Sequence, residues 1–282
     1  MTHPSGYPQR IVCLTEETTE TLYLLEEDWR IVGISGFTVR PPRARKEKPR
    51  VSAFTSAKIG RIVDLQPDLV LGFSDLQADI AAELVRAGID VHVFNHRSVE
   101  ETLRMIRTLG GMIGCESKTQ RLVERLMAGL DDVKQRAAAL PRRPRVYFEE
   151  WDEPQISCIR WVSELIAVAG GEDVFPELAG QSLGRNRIIH DPAEVPRRAP
   201  DIILGSWCGK KFQPAEVAAR PGWADVPAVL SGFVREIKSP IILQPGPAAL
   251  TDGVRAIQEV IVEWAAGPSA SPAAATTGRA SS

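Results

Sequence analysis

Carboxylate, thiol and indole side chains crowd the segment EEWDEPQISCIRW at residues 149–161, directly after the strand-like run RVYF. A second glutamate pair, Glu16 and Glu17, follows another strand-like run near the start of the chain. Paired carboxylates can act as general acid and base, bind a metal ion, or favour the start of a helix. For Glu16 and Glu17 the helix start is favoured, because the helical sequence TTETLYLLEE follows at once.

Other groups that could support catalysis lack suitable partners. The four histidines form no His–His–carboxylate pattern on a helix, so a zinc or manganese site is not indicated. Cys208 precedes Lys210, which could activate a thiol, but no histidine lies nearby, and a structural or ligand-contacting thiol is favoured. The patterns GxGxxG and GxxxxGK[ST] are absent, so nothing indicates a dinucleotide site or an NTPase.

Aromatic residues stand near the ends of several strand-like runs. Trp151, Trp161 and Trp207 are three of the six tryptophans. Flat rings at such places suit a large, partly apolar ligand, although each ring could instead fill a strand–helix junction. Phe73 and Trp207 end the similar segments QPDLVLGF and APDIILGSW, and for these two residues ligand contact is favoured.

Basic residues could attract an anionic group on a ligand. The segment RPPRARKEKPR at residues 40–50 holds six basic residues and one acid. A solvated loop is the favoured interpretation, and attraction of a ligand is the alternative. Arg160, Arg185 and Arg187 could play the same part from the second half of the chain.

These residues require a parallel sheet to bring them together. Apolar runs alternate with helical patterns, which predicts strands buried on both faces. The predicted strands are 10–14, 30–35, 68–73, 91–95, 145–150 and 201–207. Between 95 and 145 the pattern is helical only: Ser98 and Glu101 form a capping box, GGMIGC interrupts at 110–115, and a second helix runs to Pro141.

The two halves resemble each other, which predicts two similar α/β lobes joined by a helical spine. Ligands of open parallel sheets bind beyond the carboxyl ends of the strands, so a cleft should form where these ends face each other. The residues expected to line it are Glu16, Glu17, Phe37, Phe73, Asn95, Glu149, Glu150, Trp151, Trp207 and Cys208.

Composition is that of an ordinary globular protein of 282 residues, 44% hydrophobic and 25% charged, with a net charge of −2. This charge implies no general attraction to nucleic acid, and no apolar run is long enough to cross a bilayer. The first ten residues contain no secretory apolar segment, so a cytoplasmic protein is expected as the sequence stands, or a periplasmic one if an export signal was omitted. The four cysteines form no Cys-x-x-Cys pair, and free thiols are expected.

The order of segments resembles a known family. RIVCLTEETTETLYLLEEDWRIVGISGFTVRPP, RIVDLQPDLVLGF, AGGEDVF, PDIILGSW and ARPGWADVPAVLSGFVREI together are similar to the cobalamin-binding members of the periplasmic-binding-protein-like family, over nearly all of residues 10–265. The resemblance implies a class III fold: two Rossmann-like, three-layer α/β lobes with mostly parallel sheets, joined by a long helix. The expected parts are an N-terminal lobe (1–97), a helical linker (98–141), a C-terminal lobe (142–266) and a disordered tail (267–282).

The resemblance also implies site residues. In the family, aromatic rings at the lobe edges stack on the corrin ring, and an acidic residue on each lobe docks on the transporter. The implied docking acids are Asp79 and Glu216. The implied ligand-contacting aromatics are Phe37, Phe54, Phe73, Trp151, Trp161 and Trp207.

The function expected from the sequence is binding without catalysis. The ligand is cobalamin or a related corrinoid, held by a monomer that serves an ABC transporter permease, with no catalytic cofactor, no metal site and no nucleic acid. Aromatic walls would contact the corrin, while Glu16, Glu17, Arg185 and Cys208 would meet its polar edge. Two alternatives remain: the same fold could bind a ferric siderophore, heme or metal, or the Glu pairs and Cys208 could serve a cytosolic enzyme that acts on corrinoids.

Overall fold

The computed structural model describes residues 6–267. The tail predicted from residue 267 onward lies, apart from Gly267, outside the described residues. The described chain folds into two sheets, each covered by helices, with two long helices between them.

The first sheet has five parallel strands. These are β1 (Ile11–Cys13), β2 (Ile31–Ser35), β3 (Arg50–Ser52), β4 (Leu69–Phe73) and β5 (Val91–Phe94). They lie in the order β3-β2-β1-β4-β5, and β1 and β4 are buried at every residue. Helices cover both faces of a parallel sheet, which is why its central strands are apolar throughout. The helices of this half are α1 (Glu16–Leu24), α2 (Ala44–Glu47), α3 (Ile59–Asp64) and α4 (Ala78–Arg86).

Two helices link the sheets, α5 (Val99–Met112) and α6 (Glu116–Ala138). The predicted capping box at the start of α5 is confirmed: the Ser98 hydroxyl accepts from the Glu101 N–H at 3.1 Å, and the Glu101 carboxylate accepts from the Ser98 N–H at 3.1 Å. The two helices cross closely at Gly110, where an added Cβ would lie 1.9 Å from Thr119 Oγ1. A glycine is therefore required at this contact.

The second sheet is mixed. Its strands are β6 (Arg145–Asp152), β7 (Gln155–Ser157), β8 (Glu172–Asp173), β9 (Ile202–Gly205) and β10 (Val234–Glu236). The order is β10-β9-β6-β7, with β8 beside the first residues of β6; β7 is antiparallel to β6 and the other pairs are parallel. The helices are α7 (Arg160–Ala169), α8 (Pro176–Ala179), α9 (Glu194–Arg198), α10 (Pro214–Ala218), α11 (Pro227–Leu230), α12 (Ser239–Ile242) and α13 (Val254–Ala265), the last preceded by a π-helical turn, Ala249–Gly253.

One hydrophobic cluster runs through both halves. It contains side chains from the first sheet, from α5 and α6, and from the second sheet and α7 and α13. Two smaller clusters fill the opposite faces of the sheets. Each half thus has the three-layer build expected from the sequence, and the inner layers share one interior.

The fold class expected from the sequence is confirmed, and so are the six predicted strands and the strand-free helical linker. Four short strands were not predicted, β3, β7, β8 and β10, because runs of two or three residues show no clear periodicity. The interpretation of residues 40–50 as a loop was wrong in part, since α2 and the first residue of β3 fall within it. The boundaries proposed for the lobes, linker and tail stay predictions.

Candidate functional site

Groups near the carboxyl ends of strands in the two sheets lie close enough to affect one another's pKa. Charged groups that follow strands of one sheet influence groups that follow strands of the other. Burial raises the pKa of the Cys208 thiol, after β9, and the carboxylates of Glu16, after β1, and Glu150, in β6, raise it further. Burial lowers the pKa of Arg97, after β5, and the guanidinium of Arg187 in the second half adds to this. We call the gap between these groups the candidate cleft.

Glu16 and Glu17 lie in the first turn of α1, as the sequence predicts, but their side chains form no N-cap hydrogen bond. Both are buried, with 6% and 1% of their surface exposed. Burial raises the pKa of Glu16 to about 7 and that of Glu17 to about 8, while the Thr15 hydroxyl, which donates to Glu17 Oε1 at 2.5 Å, opposes the second shift. Near neutral pH these two groups carry protons to a large degree.

The second half meets the first directly beneath this turn. An added Cβ on Gly246 would lie 2.5 Å from the Glu17 Cβ, so no side chain fits there. The Ala248 N–H donates to Glu20 Oε2 at 3.0 Å, and the His96 Nε2 lies 2.7 Å from the Pro245 carbonyl oxygen. Burial lowers the pKa of His96 to about 4, so this ring is neutral and donates through Nε2. These contacts close the cleft on its floor.

Phe73 ends β4, and its ring is covered on the cleft side. The Arg97 guanidinium carbon lies 4.6 Å above the ring centroid, and the His96 ring meets the same ring edge-on at 5.0 Å. Only 7% of Phe73 is exposed. A ligand can stack on this ring only where Arg97 moves aside, so the partly buried guanidinium, rather than the ring, forms the surface here.

Glu149 lies at the end of the buried part of β6 and is fully enclosed. It accepts hydrogen bonds from Arg220 Nη1 at 2.5 Å and Nη2 at 2.9 Å, from Trp207 Nε1 at 3.1 Å, and from the Tyr147 hydroxyl at 3.0 Å. Both carboxylate oxygens are occupied, so Glu149 fixes Trp207 and Arg220 in place and cannot transfer a proton to a ligand.

Glu150 is held by Arg187 in a bidentate pair, with Nη1–Oε2 at 2.7 Å and Nη2–Oε1 at 2.9 Å. Only 2% of the Arg187 side chain is exposed, and its Nη1 also donates to the Ser157 carbonyl oxygen. Arg187 therefore supports the wall formed by β6 and β7. Arg185, which the sequence analysis named for ligand contact, is exposed in the 3₁₀ turn Gly184–Asn186.

Trp207 is 3% exposed and packs edge-on against Phe212 at 4.9 Å between ring centroids. Lys210 Nζ lies 4.8 Å from the Trp207 ring centroid and pairs with Asp152. Trp207 also lines a cavity of about 520 Å³ within the second half. The other residues that line this cavity are Asp152, Glu153, Pro154, Gln155, Ile188, Ile189, His190, Pro192, Glu216 and Arg220.

The remaining predicted aromatics differ in exposure. Phe37, after β2, is 52% exposed, and Phe54, after β3, and Trp151, in β6, are partly exposed. Trp161 is 5% exposed in the shared hydrophobic cluster, and its Nε1 donates to the Ile242 carbonyl oxygen at 2.9 Å. Its role in ligand contact stays a prediction.

Two basic residues of the cleft were not among the site residues predicted from sequence. Arg97 lies in the turn after β5, directly before the N-cap residue Ser98, whereas the sequence predicted Asn95 in this turn. For Arg187 the sequence predicted only a positive charge that could attract a ligand. The signal that could have identified Arg97 is its place as the first cation beyond the carboxyl end of a predicted strand. No local signal marks Arg187, whose partner lies 37 residues earlier.

The predicted docking acids are both exposed and occupy matching positions. Asp79 lies in the first turn of α4, which follows β4, and Glu216 lies in the first turn of α10, which follows β9. Among residues 6–267, no cluster of three or more His, Cys, Asp or Glu side chains could hold a metal ion, and no helix is long and apolar enough to span a membrane.

Known proteins resemble the chain in sequence. Residues 11–241 match the family described as periplasmic binding protein. An uncharacterised substrate-binding lipoprotein of an ABC transporter from Bacillus subtilis, YvrC, is 26% identical over 90% of this chain and 80% of its own length. A vitamin B12-binding protein from Vibrio parahaemolyticus is 25% identical over 86% of each chain.

Solved structures resemble it in fold. The vitamin B12-binding protein BtuF of Vibrio cholerae superimposes with a TM-score of 0.74 at 21% identity, covering 92% of this chain and 98% of that one. The heme-binding protein RhuT of Roseiflexus, in its apo form, superimposes with a TM-score of 0.75 at 24% identity, covering 90% and 99%. These matches confirm the family resemblance and the class III fold inferred from the sequence.

Proposed function

The chain belongs to the periplasmic binding protein family, and we propose that it holds cobalamin or a related corrinoid in the candidate cleft and delivers it to an ABC transporter. Relatives whose names state vitamin B12 or cobalamin binding support the ligand, and the YvrC relative supports the transport role. Phe37, Phe54 and Trp151 offer partly exposed rings at the rims of both sheets for a broad, flat molecule.

The observation that carries the choice of a corrinoid is the set of partly exposed rings at the rims of both sheets, and three side chains that could ligate iron already have other partners. Heme iron takes an axial ligand from His, Tyr, Cys or Met. The His96 Nε2 is bonded to Pro245, the Tyr147 hydroxyl to Glu149, and the Tyr23 hydroxyl to Glu47. Cobalamin, whose lower axial base belongs to the ligand itself, needs no such group from the protein.

Heme is the second candidate, and two observations favour it. Arg97, which follows the carboxyl end of β5, could attract a propionate of heme. The fold matches heme-binding proteins as well as it matches BtuF. His190, an exposed residue that lines the cavity beside Trp207, is the side chain to test as an iron ligand in that case.

Binding without turnover is the mechanism that the side chains support. Both oxygens of Glu149 and of Glu150 are held by guanidinium groups. Burial and two carboxylates keep the pKa of Cys208 above its ordinary value, which disfavours a thiolate nucleophile. Asp79 and Glu216, exposed and in matching positions on the two halves, suit docking to basic residues of a permease.

Titration of the purified protein with cyanocobalamin and with hemin, followed by calorimetry and absorbance, tests the proposal. We expect cyanocobalamin to bind with micromolar affinity or better and hemin to bind more weakly. Phe37→Ala should weaken cyanocobalamin binding about tenfold, in line with the loss of one stacked ring. Leu230→Ala removes an even more exposed apolar side chain, near the opposite end of the second sheet, and should leave the affinity unchanged.

Two results would contradict the proposal. Hemin binding with a Soret band that His190→Ala abolishes would replace the corrinoid with heme. The absence of binding by cyanocobalamin at any accessible concentration would remove corrinoids as the ligand.

A further inference from the structure

Glu16 is a buried carboxyl group without a cationic partner. Only 6% of its surface is exposed, and no Lys, Arg or His among residues 6–267 forms an ion pair with it. Apart from the adjacent Glu17, the other acids named at the cleft differ, since Glu20 pairs with Arg40, Glu149 with Arg220 and Glu150 with Arg187. An unpaired carboxylate at such depth is costly, so the group has a reason to be there other than stability.

Glu16 faces the gap between the halves. It follows the carboxyl end of β1, and its charge acts on the Cys208 thiol of the opposite half. Glu17 lies beside it but points under the turn, against Gly246 and Thr15. Of the two adjacent acids, Glu16 is therefore the one that a molecule in the cleft can touch.

The charged and titratable groups around Glu16 belong to several elements. Glu17 and Glu20 share α1 with it, Cys13 lies in β1, His96 and Arg97 follow β5, Glu150 is in β6 opposite, and Cys208 follows β9. The Arg97 guanidinium lowers the pKa of the adjacent Glu17. Burial controls Glu16 itself.

We propose that Glu16 is a specificity-determining residue of the cleft, which favours a ligand whose facing edge carries neutral carboxamides over one whose facing edge carries carboxylates. The inference rests on the proposed function and narrows it. A protonated Glu16 donates one hydrogen bond to an amide carbonyl oxygen, while its own carbonyl oxygen accepts from an amide N–H. A ligand carboxylate in the same place meets an ionised or partly ionised acid in a poorly solvated site.

The proposal links ligand binding to proton uptake. The pKa of free Glu16 lies at about 7. A ligand that covers the residue removes its remaining contact with water and accepts its proton in a hydrogen bond, so the pKa rises further in the complex. Affinity is then greatest below pH 7 and falls as the pH rises through the free and bound pKa values. A rise of one pKa unit on binding corresponds to about a tenfold loss of affinity between pH 6 and pH 9.

Calorimetric titration with cyanocobalamin at pH 6, 7, 8 and 9, in pairs of buffers with different ionisation enthalpies, measures both the affinity and the number of protons taken up. For the wild-type protein we expect the tenfold loss of affinity and proton uptake that peaks between pH 7 and pH 8. Glu16→Gln keeps the shape and one N–H donor, so its affinity should vary less than twofold over the same range and its proton uptake should fall. Glu100→Gln, an exposed acid in the first turn of α5, should behave as the wild type.

Hemin supplies the second arm, because its edge carries two carboxylates. At pH 8 the Glu16→Gln variant should bind hemin at least threefold more tightly than the wild-type protein does, while Glu100→Gln should not. Cyanocobalamin binding with the same pH profile in the wild type and in Glu16→Gln overturns the inference and leaves the proposed function standing. Failure of the wild-type protein to bind cyanocobalamin at any pH overturns the proposed function itself, and the inference with it.

Discussion

Two pairs of adjacent glutamates lie on the two sides of the candidate cleft and are held in opposite ways. Glu16 and Glu17 are buried and form no ion pair with any residue of 6–267, and burial raises the pKa of both. Glu149 and Glu150 are each bound by an arginine in two hydrogen bonds. The same Glu-Glu dipeptide therefore has two roles. In the first half its carboxyl groups hold protons near neutral pH, and in the second half its carboxylates hold neighbouring side chains in place. The difference comes from Arg187 and Arg220, which lie later in the chain and pair only with the second Glu-Glu dipeptide.

The anchored pair should show the largest response to mutation. Arg220→Met leaves the fully buried Glu149 carboxylate without its counter-ion and also loosens Trp207. We expect a loss of about 3–5 kcal/mol in the free energy of unfolding, measured with urea at pH 7.

Arg235→Met is the matched control for that variant. Arg235 pairs with Glu263 at the surface, where both side chains are more than a third exposed. Such a pair contributes about 0–1 kcal/mol. If Arg220→Met and Arg235→Met lowered the free energy of unfolding equally, the buried Arg220–Glu149 pair would contribute no more to stability than an ion pair at the surface.

The unpaired glutamates should make the free energy of unfolding depend on pH. Because the pKa of folded Glu17 is about 8, above its unfolded value of about 4.5, the folded state holds this proton where the unfolded state releases it. The stabilisation is complete below pH 4.5 and is lost as the pH rises through 8. Glu17→Gln should therefore gain stability relative to the wild-type protein between pH 5 and pH 9, by on the order of 4 kcal/mol.

Urea unfolding of the wild type, Glu17→Gln and Glu100→Gln at four pH values measures that difference. The exposed Glu100 should give a curve parallel to the wild type. A constant offset between Glu17→Gln and the wild type at all pH values would show that Glu17 titrates normally in the folded protein.

Arg97 should have the smallest effect on stability. It covers the Phe73 ring at 4.6 Å and pairs with Asp75 at 3.8 Å, and its side chain is 14% exposed. Arg97→Met keeps most of the packing and removes the cation–π contact, which is worth about 0.5–1 kcal/mol. The comparison is with Arg104→Met, whose side chain is 70% exposed, in urea unfolding at pH 6. If Arg97→Met lowered the free energy of unfolding as much as Arg220→Met does, Arg97 would stabilise the fold as strongly as the buried Arg220 does.

The sequence predicted well what depends on neighbouring residues. The strand runs, the capping box at Ser98 and the start of α1 at Glu16 all follow from local patterns, and all are found. The carboxyl ends of these strands define the cleft rim, so the region of the candidate site was predictable. The burial of Trp161 was predictable in the same way, because Trp161, Leu165 and Ala169 recur at helical spacing on one face of α7.

The sequence could not predict the state of the two glutamate pairs. Arg220 reaches Glu149 across 71 residues of sequence, and Arg187 reaches Glu150 across 37. Nothing local distinguishes an arginine that will be buried beside a carboxylate from one that will face water, as Arg185 does two residues earlier. The covering of Phe73 by Arg97 depends in the same way on how the turn after β5 folds back over β4.

The hydrophobic cluster that runs from the first sheet through α5 and α6 into the second makes the two halves dependent on each other. Neither sheet forms this hydrophobic core by itself, since side chains of α5 and α6 pack in the same cluster as side chains of both sheets. A fragment that contains only one sheet would therefore expose a large hydrophobic surface to water, and it should aggregate rather than fold. The two halves look like separable modules along the chain, yet the protein must be made and kept as one piece.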